Sequence, residues 1–237
     1  MSGFGAISGN FLREQIRAPL NLVLLVAIPA FFVLIFASVL GEFAEALGGD
    51  LARQSATAIS AGWAAAFLCG ALSYFQVSSS READRRLALA GLGPRRVATG
   101  RIAASLALGV VVSVVAYLTL WLRSGVAHPL HVAAAIFIFA AIYIGVGALI
   151  GTLVRGPLEG SLLVVLVFSL DVFSGPAMTS SGGFGNFTPT NHAANLLIAG
   201  GGGQGSPTSD WIGGAAIAFG GLLVALVAFF LSARGRG

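Results

Sequence analysis

The chain has 237 residues, 57% of them hydrophobic and 9% charged, against roughly a quarter charged in soluble domains; this excludes an ordinary water-soluble globule and marks an integral membrane protein. No lysine occurs, so the net charge of +4 rests on the 13 arginines, and the phosphate-binding loop G-x-x-x-x-G-K-[ST] cannot be written. The chain therefore carries no Walker-type ATP site of its own. Its lone cysteine, Cys69, lies in an apolar run and can make neither an intrachain disulfide nor a metal cluster, so a packed thiol is expected.

After a Gly/Ser-rich start, Asn10 can cap a helix over residues 10–18. Leu12, Ile16 and Leu20 form its apolar stripe, while Arg13, Glu14 and Arg17 stay polar, the pattern of a helix lying in the membrane interface among anionic headgroups. Pro19 turns the chain into a first span over residues 20–40, kinked at Pro29. This run is too long for a signal-peptide core and lacks a small-residue cleavage site. A short acidic loop leads to a second span, residues 56–77, bearing Trp63, Phe67, Tyr74 and Phe75.

Between residues 79 and 101 charge is concentrated as nowhere else: six arginines (Arg81, Arg85, Arg86, Arg95, Arg96, Arg101) lie in one polar loop. Ser79 followed by Glu82 has the form of a capping box. A helix over residues 80–90 is expected, with Glu82 and Arg86 four apart in the favourable order and Ala83, Leu87 and Ala90 on one apolar stripe. Gly91 suits the left-handed residue after it, and Gly93-Pro94 opens the next helix. At 1.5 Å per residue it covers roughly 15 Å, too short to cross a bilayer.

Spans three to five follow at residues 102–122, 130–154 and 160–173. The fourth contains Gly147-x-x-x-Gly151, a spacing that favours close helix approach, and Arg155 to Glu159 forms the loop after it. A Gly-, Ser-, Thr- and Asn-rich segment over residues 174–210 holds a brief helix from Pro189 to Ile198, whose Leu196, Leu197 and Ile198 are expected to dip into the bilayer edge. The sixth span covers residues 211–231. With both termini inside, eleven arginines lie on the cytoplasmic face and only Arg53 and Arg123 outside, a strong positive-inside bias.

Asp171 is the one acid near a membrane interior and a functional suspect on that ground; at the outer end of its span, a solvated or hydrogen-bonded acid is expected over a proton relay. His128, His131 and His192 read as surface histidines rather than zinc ligands, since no carboxylate or cysteine completes a site. Neither G-x-S-x-G nor H-E-x-x-H is present. No catalytic set is seen, and the aromatic residues serve either helix packing or an apolar path.

In its order of elements the chain resembles the permease subunit of type-2 ABC transporters, largely exporters. The resemblance rests on the interfacial helix, six spans with both ends inside, the charged helix between spans two and three and the proline-broken external segment. In the register where that family shows an acid, a Leu-rich stretch and a small-Pro step, the chain reads Glu82 or Asp84, Leu87-Ala-Leu89 and Gly93-Pro94. The implied fold is a single all-α transmembrane domain over residues 1–237, and the implied seat is the bacterial cytoplasmic membrane.

The implied partners are two copies of a separate ATP-binding subunit, a second permease copy or a related permease, and membrane lipids, with no nucleic acid. ATP and Mg would be held by the partner; the chain itself would hold no cofactor or metal and would not be an enzyme. Arg81, Glu82, Asp84, Arg85, Arg86 and Leu87 would form the coupling helix, with Arg13, Glu14 and Arg17 beside it and Glu159 adding a contact. Phe67, Tyr74, Phe75, Phe168, Asp171 and Phe173 would line the substrate path. The chain departs from the family in its glycine-heavy external segment and its lack of a large extracellular domain. A membrane-embedded enzyme acting on lipid or peptide, and a non-transporting immunity or anchoring protein, are the alternative readings.

Overall fold

The computed structural model describes residues 19–46, 53–87, 90–91, 93–178 and 188–234; the expected interfacial helix, with Arg13, Glu14 and Arg17, lies outside them. In chain order the helices are α1 (Pro19–Phe31), a π-helical turn (Phe32–Phe36), α2 (Ala37–Ala46), α3 (Arg53–Ser79), α4 (Arg81–Leu87), α5 (Pro94–Ser124), α6 (Pro129–Leu153), α7 (Pro157–Ser174), α8 (Asn191–Gly201) and α9 (Thr208–Arg234). No strand occurs among the described residues. Five helices, α3, α5, α6, α7 and α9, are long and apolar enough to cross a membrane, and a shorter apolar stretch runs from Leu25 to Leu40. The chain is an all-α, multi-pass membrane protein.

Helix boundaries follow local chemistry. Proline opens α5, α6 and α7 at their first turns, where the missing N–H would have no partner anyway. Gly93 and Gly125, at the two ends of α5, have φ of 74° and 67°, a region open to glycine at no steric cost. Pro29 lies inside α1, and the widened π turn begins at Phe32. Such a turn disturbs the regular i to i−4 ladder, and Arg123 on α5 donates to the carbonyls of Val33 and Leu34 there. One of the two arginines placed outside by the charge count thus serves a backbone defect.

α6 is apolar on every side and sits at the centre, as a helix without a polar face must. It packs most extensively on α3 and then on α9. A Cβ at Gly147 would fall on the carbonyl of Gly70, and one at Gly151 would lie 3.0 Å from the Tyr74 carbonyl oxygen. The Gly147-x-x-x-Gly151 spacing therefore does bring two backbones together. Matched positions, Gly70 with Gly147 and Tyr74 with Gly151, show that α3 and α6 run parallel. On the opposite side of α6, a Cβ at Gly145 would come 2.8 Å from the Gly221 carbonyl carbon of α9. Ser73 Oγ donates to the Ile144 carbonyl at 3.0 Å, tying α3 to α6 where their glycines leave room. Cys69 is buried and free, as expected of a packed thiol.

α8 lies against α3, α6 and α9. Leu196 and Leu197 are fully buried in the main core, so they do not dip into a bilayer edge as the sequence suggested; Ile198 packs on the same core. Ala193, Ala194, Leu196 and Leu197 are all buried because α8 has helices on three sides, and Leu197 fills the space beside Gly62 of α3. α7 and α9, by contrast, keep broad apolar faces exposed, including Leu166, Leu170 and Phe219.

Candidate functional site

At one end of the bundle, α4 joins α3 to α5. Ser79 Oγ donates to the Phe75 carbonyl at 2.6 Å, so Ser79 closes α3 and does not cap the next helix. The helix proper is Arg81–Leu87, shorter than residues 80–90. Of the expected apolar stripe, Ala83 and Ala90 are exposed, and only Leu87 packs, against the cluster of Val77, Val97 and Phe229.

The inner face of α4 is polar instead. Asp84 is held by Arg101 of α5, with Nε at 3.1 and 3.0 Å from the two carboxylate oxygens and Nη2 at 2.8 Å from Oδ1. Both side chains are 5% exposed. This planar, two-pronged geometry is what a guanidinium offers and an ammonium does not. Arg81 donates to the carbonyls of Gly151 and Val154 at the end of α6, where a helix presents unpaired acceptors and negative dipole. Two arginines thus fasten α4 to two different long helices.

Its outer face stays free of the bundle. Glu82 and Arg86 pair with each other and are 79% and 77% exposed. Arg85 lies on the same helix. Glu159 is exposed in the first turn of α7, at the same end as the Arg81 contacts, and Arg95 lies over the ring of Phe230, 5.2 Å from its centroid.

Toward the opposite end, the nominated path residues separate into groups. The rings of Phe67 and Phe168 lie 5.0 Å apart and tilted, with Phe32 6.5 and 6.4 Å from them and Tyr143 5.9 Å from Phe168. Asp171 joins this group: its Oδ2 accepts from Tyr143 Oη at 2.7 Å and from Thr190 Oγ1 at 2.8 Å. It is 3% exposed, so it is hydrogen-bonded and not solvated. The Thr188 hydroxyl and the Thr190 amide are also directed at this carboxylate as donors, with none of the donors in close hydrogen-bond geometry to Oδ1 among the described residues. Asp171 thereby links α6, α7 and the entry to α8.

Tyr74 does not line this group. It is fully buried nearer the α4 end, where its hydroxyl donates to the Pro157 carbonyl at 2.8 Å and its ring fills the space above Gly160. Phe75 and Phe173 are about half exposed, at 51% and 53%, facing away from the core.

The sequence reading missed Tyr143, Thr190 and Phe32. A tyrosine in mid-span has to find a partner for its hydroxyl, which was the available signal. Two histidines prove better partnered than surface groups: His192 Nδ1 lies 2.8 Å from Asp210 Oδ1, and His131 Nε2 lies 2.7 Å from Ser206 Oγ. His128 is exposed. No group of three metal-ligating residues occurs among the described residues. No protein-family model matches the chain, and comparison with characterised proteins gives no significant match.

Proposed function

We propose that the chain is the permease subunit of a type-2 ABC exporter, with six spans and both termini on the cytoplasmic side of a bacterial inner membrane. It works as a pair of permeases, two copies or one with a related chain, and with two copies of a separate ATP-binding subunit. The observation that carries this reading is α4. A seven-residue helix anchored by Asp84–Arg101 and Arg81, yet presenting Glu82 and Arg86 outward, is built to receive a load rather than to mark topology alone.

The load has a defined route. A push on the Glu82 and Arg86 face passes through the buried Asp84–Arg101 pair into α5 and through Arg81 into the end of α6. Since α6 is the central helix, its tilt carries α3 and α9 with it. ATP-driven closure of the partner then biases a bundle with two arrangements between inward and outward access. The aromatic group of Phe32, Phe67 and Phe168 lies on the route of an apolar or amphipathic cargo.

Cysteine crosslinking tests the contact. A chain carrying Glu82→Cys in a Cys69→Ala background is labelled in native membranes with a maleimide–benzophenone reagent, whose maleimide bonds the new thiol and whose benzophenone inserts into a neighbouring C–H bond on irradiation. The reading expects a crosslink to a subunit that mass spectrometry identifies as bearing a phosphate-binding loop. A folded protein that crosslinks to no such subunit contradicts it.

A further inference from the structure

Phe32, Phe67 and Phe168 gather three half-buried aromatic rings one helical turn from a carboxyl group, since Phe168 and Asp171 are three residues apart on α7 and share a face. Tyr143 bridges them, its ring on Phe168 and its hydroxyl on Asp171. The hydroxyls of Tyr143 and Thr190 hold one oxygen of Asp171, the Thr188 hydroxyl and the Thr190 amide are also directed at the carboxylate, and Oδ1 has no donor in close geometry among the described residues.

No positive side chain among the described residues pairs with this carboxylate. The arginines of the bundle are engaged elsewhere: Arg101 by Asp84, Arg81 at the end of α6, and Arg123 at the π turn. A buried carboxylate held by neutral donors alone still lacks a counter-charge, which is costly, and aromatic faces attract cations. Carboxylate and rings therefore ask for one ligand: a positive charge carried on an apolar, aryl-bearing body.

We propose that this group is a binding site for a monovalent hydrophobic organic cation, with its charge toward Asp171 and its apolar body against Phe32, Phe67 and Phe168. The proposal deepens the exporter reading, on which it rests for the idea that cargo passes here.

Binding is measured by equilibrium dialysis on the purified full chain in detergent. Tetraphenylphosphonium is the probe and neutral triphenylphosphine oxide its uncharged counterpart. The cation is expected to bind at least about tenfold more tightly than the neutral compound. Asp171→Asn, which can still accept from Tyr143 and Thr190, is expected to abolish that preference, and Asp171→Glu to retain it. Phe168→Leu is expected to weaken the cation several-fold.

Equal binding of charged and neutral probes to the wild type overturns the proposal without any variant, since it leaves Asp171 a structural hydrogen-bond acceptor. Absence of cation binding to a folded wild type overturns it as well. Because no ATPase enters this assay, its failure leaves the crosslinking result standing, and loss of the crosslink leaves cation binding standing.

Discussion

Replacing Asp84 by alanine isolates the fastening of α4. The substitution strands the Arg101 guanidinium, 5% exposed, without its carboxylate in a setting of Val97, Ala98 and Ile102. Breaking one partner of a buried pair costs about 3 to 5 kcal/mol. At about 1.4 kcal/mol per factor of ten, opening of α4 becomes roughly two to three and a half powers of ten more frequent. The exposed Glu82–Arg86 pair supplies the control, since such i,i+4 pairs contribute about 0.3 to 0.5 kcal/mol. Hydrogen exchange read by mass spectrometry over peptides covering residues 81–91 reports the opening, because the Asp84 amide is bonded to the Ser80 carbonyl. Asp84→Ala is expected to exchange far faster than wild type and Glu82→Ala about as wild type. Replacing the pair together, Asp84→Leu with Arg101→Met, is expected to recover most of the protection, because no buried charge is then left alone. Equal exchange in Asp84→Ala and Glu82→Ala would show that the Asp84–Arg101 pair does not hold α4 in place.

Other substitutions test the bundle through Cys69, whose buried thiol is expected to react with maleimide only once the bundle opens. Gly147→Ala drives a Cβ into the Gly70 carbonyl and is expected to destabilise by about 1 to 3 kcal/mol or more, seen as labelling at lower temperature. Gly220→Ala, where a Cβ meets nothing within 4 Å, is expected to stay within about 1 kcal/mol of wild type, on the stabilising side. Tyr74→Phe removes the bond to the Pro157 carbonyl and is expected to cost about 1 kcal/mol, a smaller fall in the same curve. Arg123→Ala frees the carbonyls at the π turn and is expected to speed exchange between residues 33 and 40 with little change elsewhere.

Much of the architecture was legible because apolar length and proline position act locally. Pro94 opens its helix as expected and Pro129 one residue before the expected start, while Pro157 begins α7 inside the stretch read as a loop, and the glycine spacing at Gly147 and Gly151 meant what such spacing implies. The long first helix was harder. Carbonyls at its π turn are met by Arg123, ninety residues away, a partner that no local pattern reveals. Ser79 illustrates the competition at an element boundary: its hydroxyl can serve the helix behind or the helix ahead, and the Phe75 carbonyl wins.

The sites were legible by residue type and not by direction. Asp84 and Glu82 look alike in sequence, yet one turns inward to Arg101 and the other stays in solvent. Asp171 was suspect from its apolar setting, but its partners come from α6 and from the segment leading into α8, and only the fold brings these together. Leu196 and Leu197 read as lipid-facing because nothing in the sequence states that α8 packs between three helices.

In the function proposed, α4 receives the work of a separate ATPase. The direct measurement is vanadate-sensitive ATP hydrolysis by whatever co-purifies with the chain in mild detergent, for wild type beside a variant with Glu82 and Arg86 changed to alanine. An ATPase is expected with the wild type and is lost or uncoupled in the variant, while the bundle's Cys69 protection is unchanged. A folded wild type that brings no ATPase, or a variant whose ATPase association and turnover match it, contradicts a coupling role for α4.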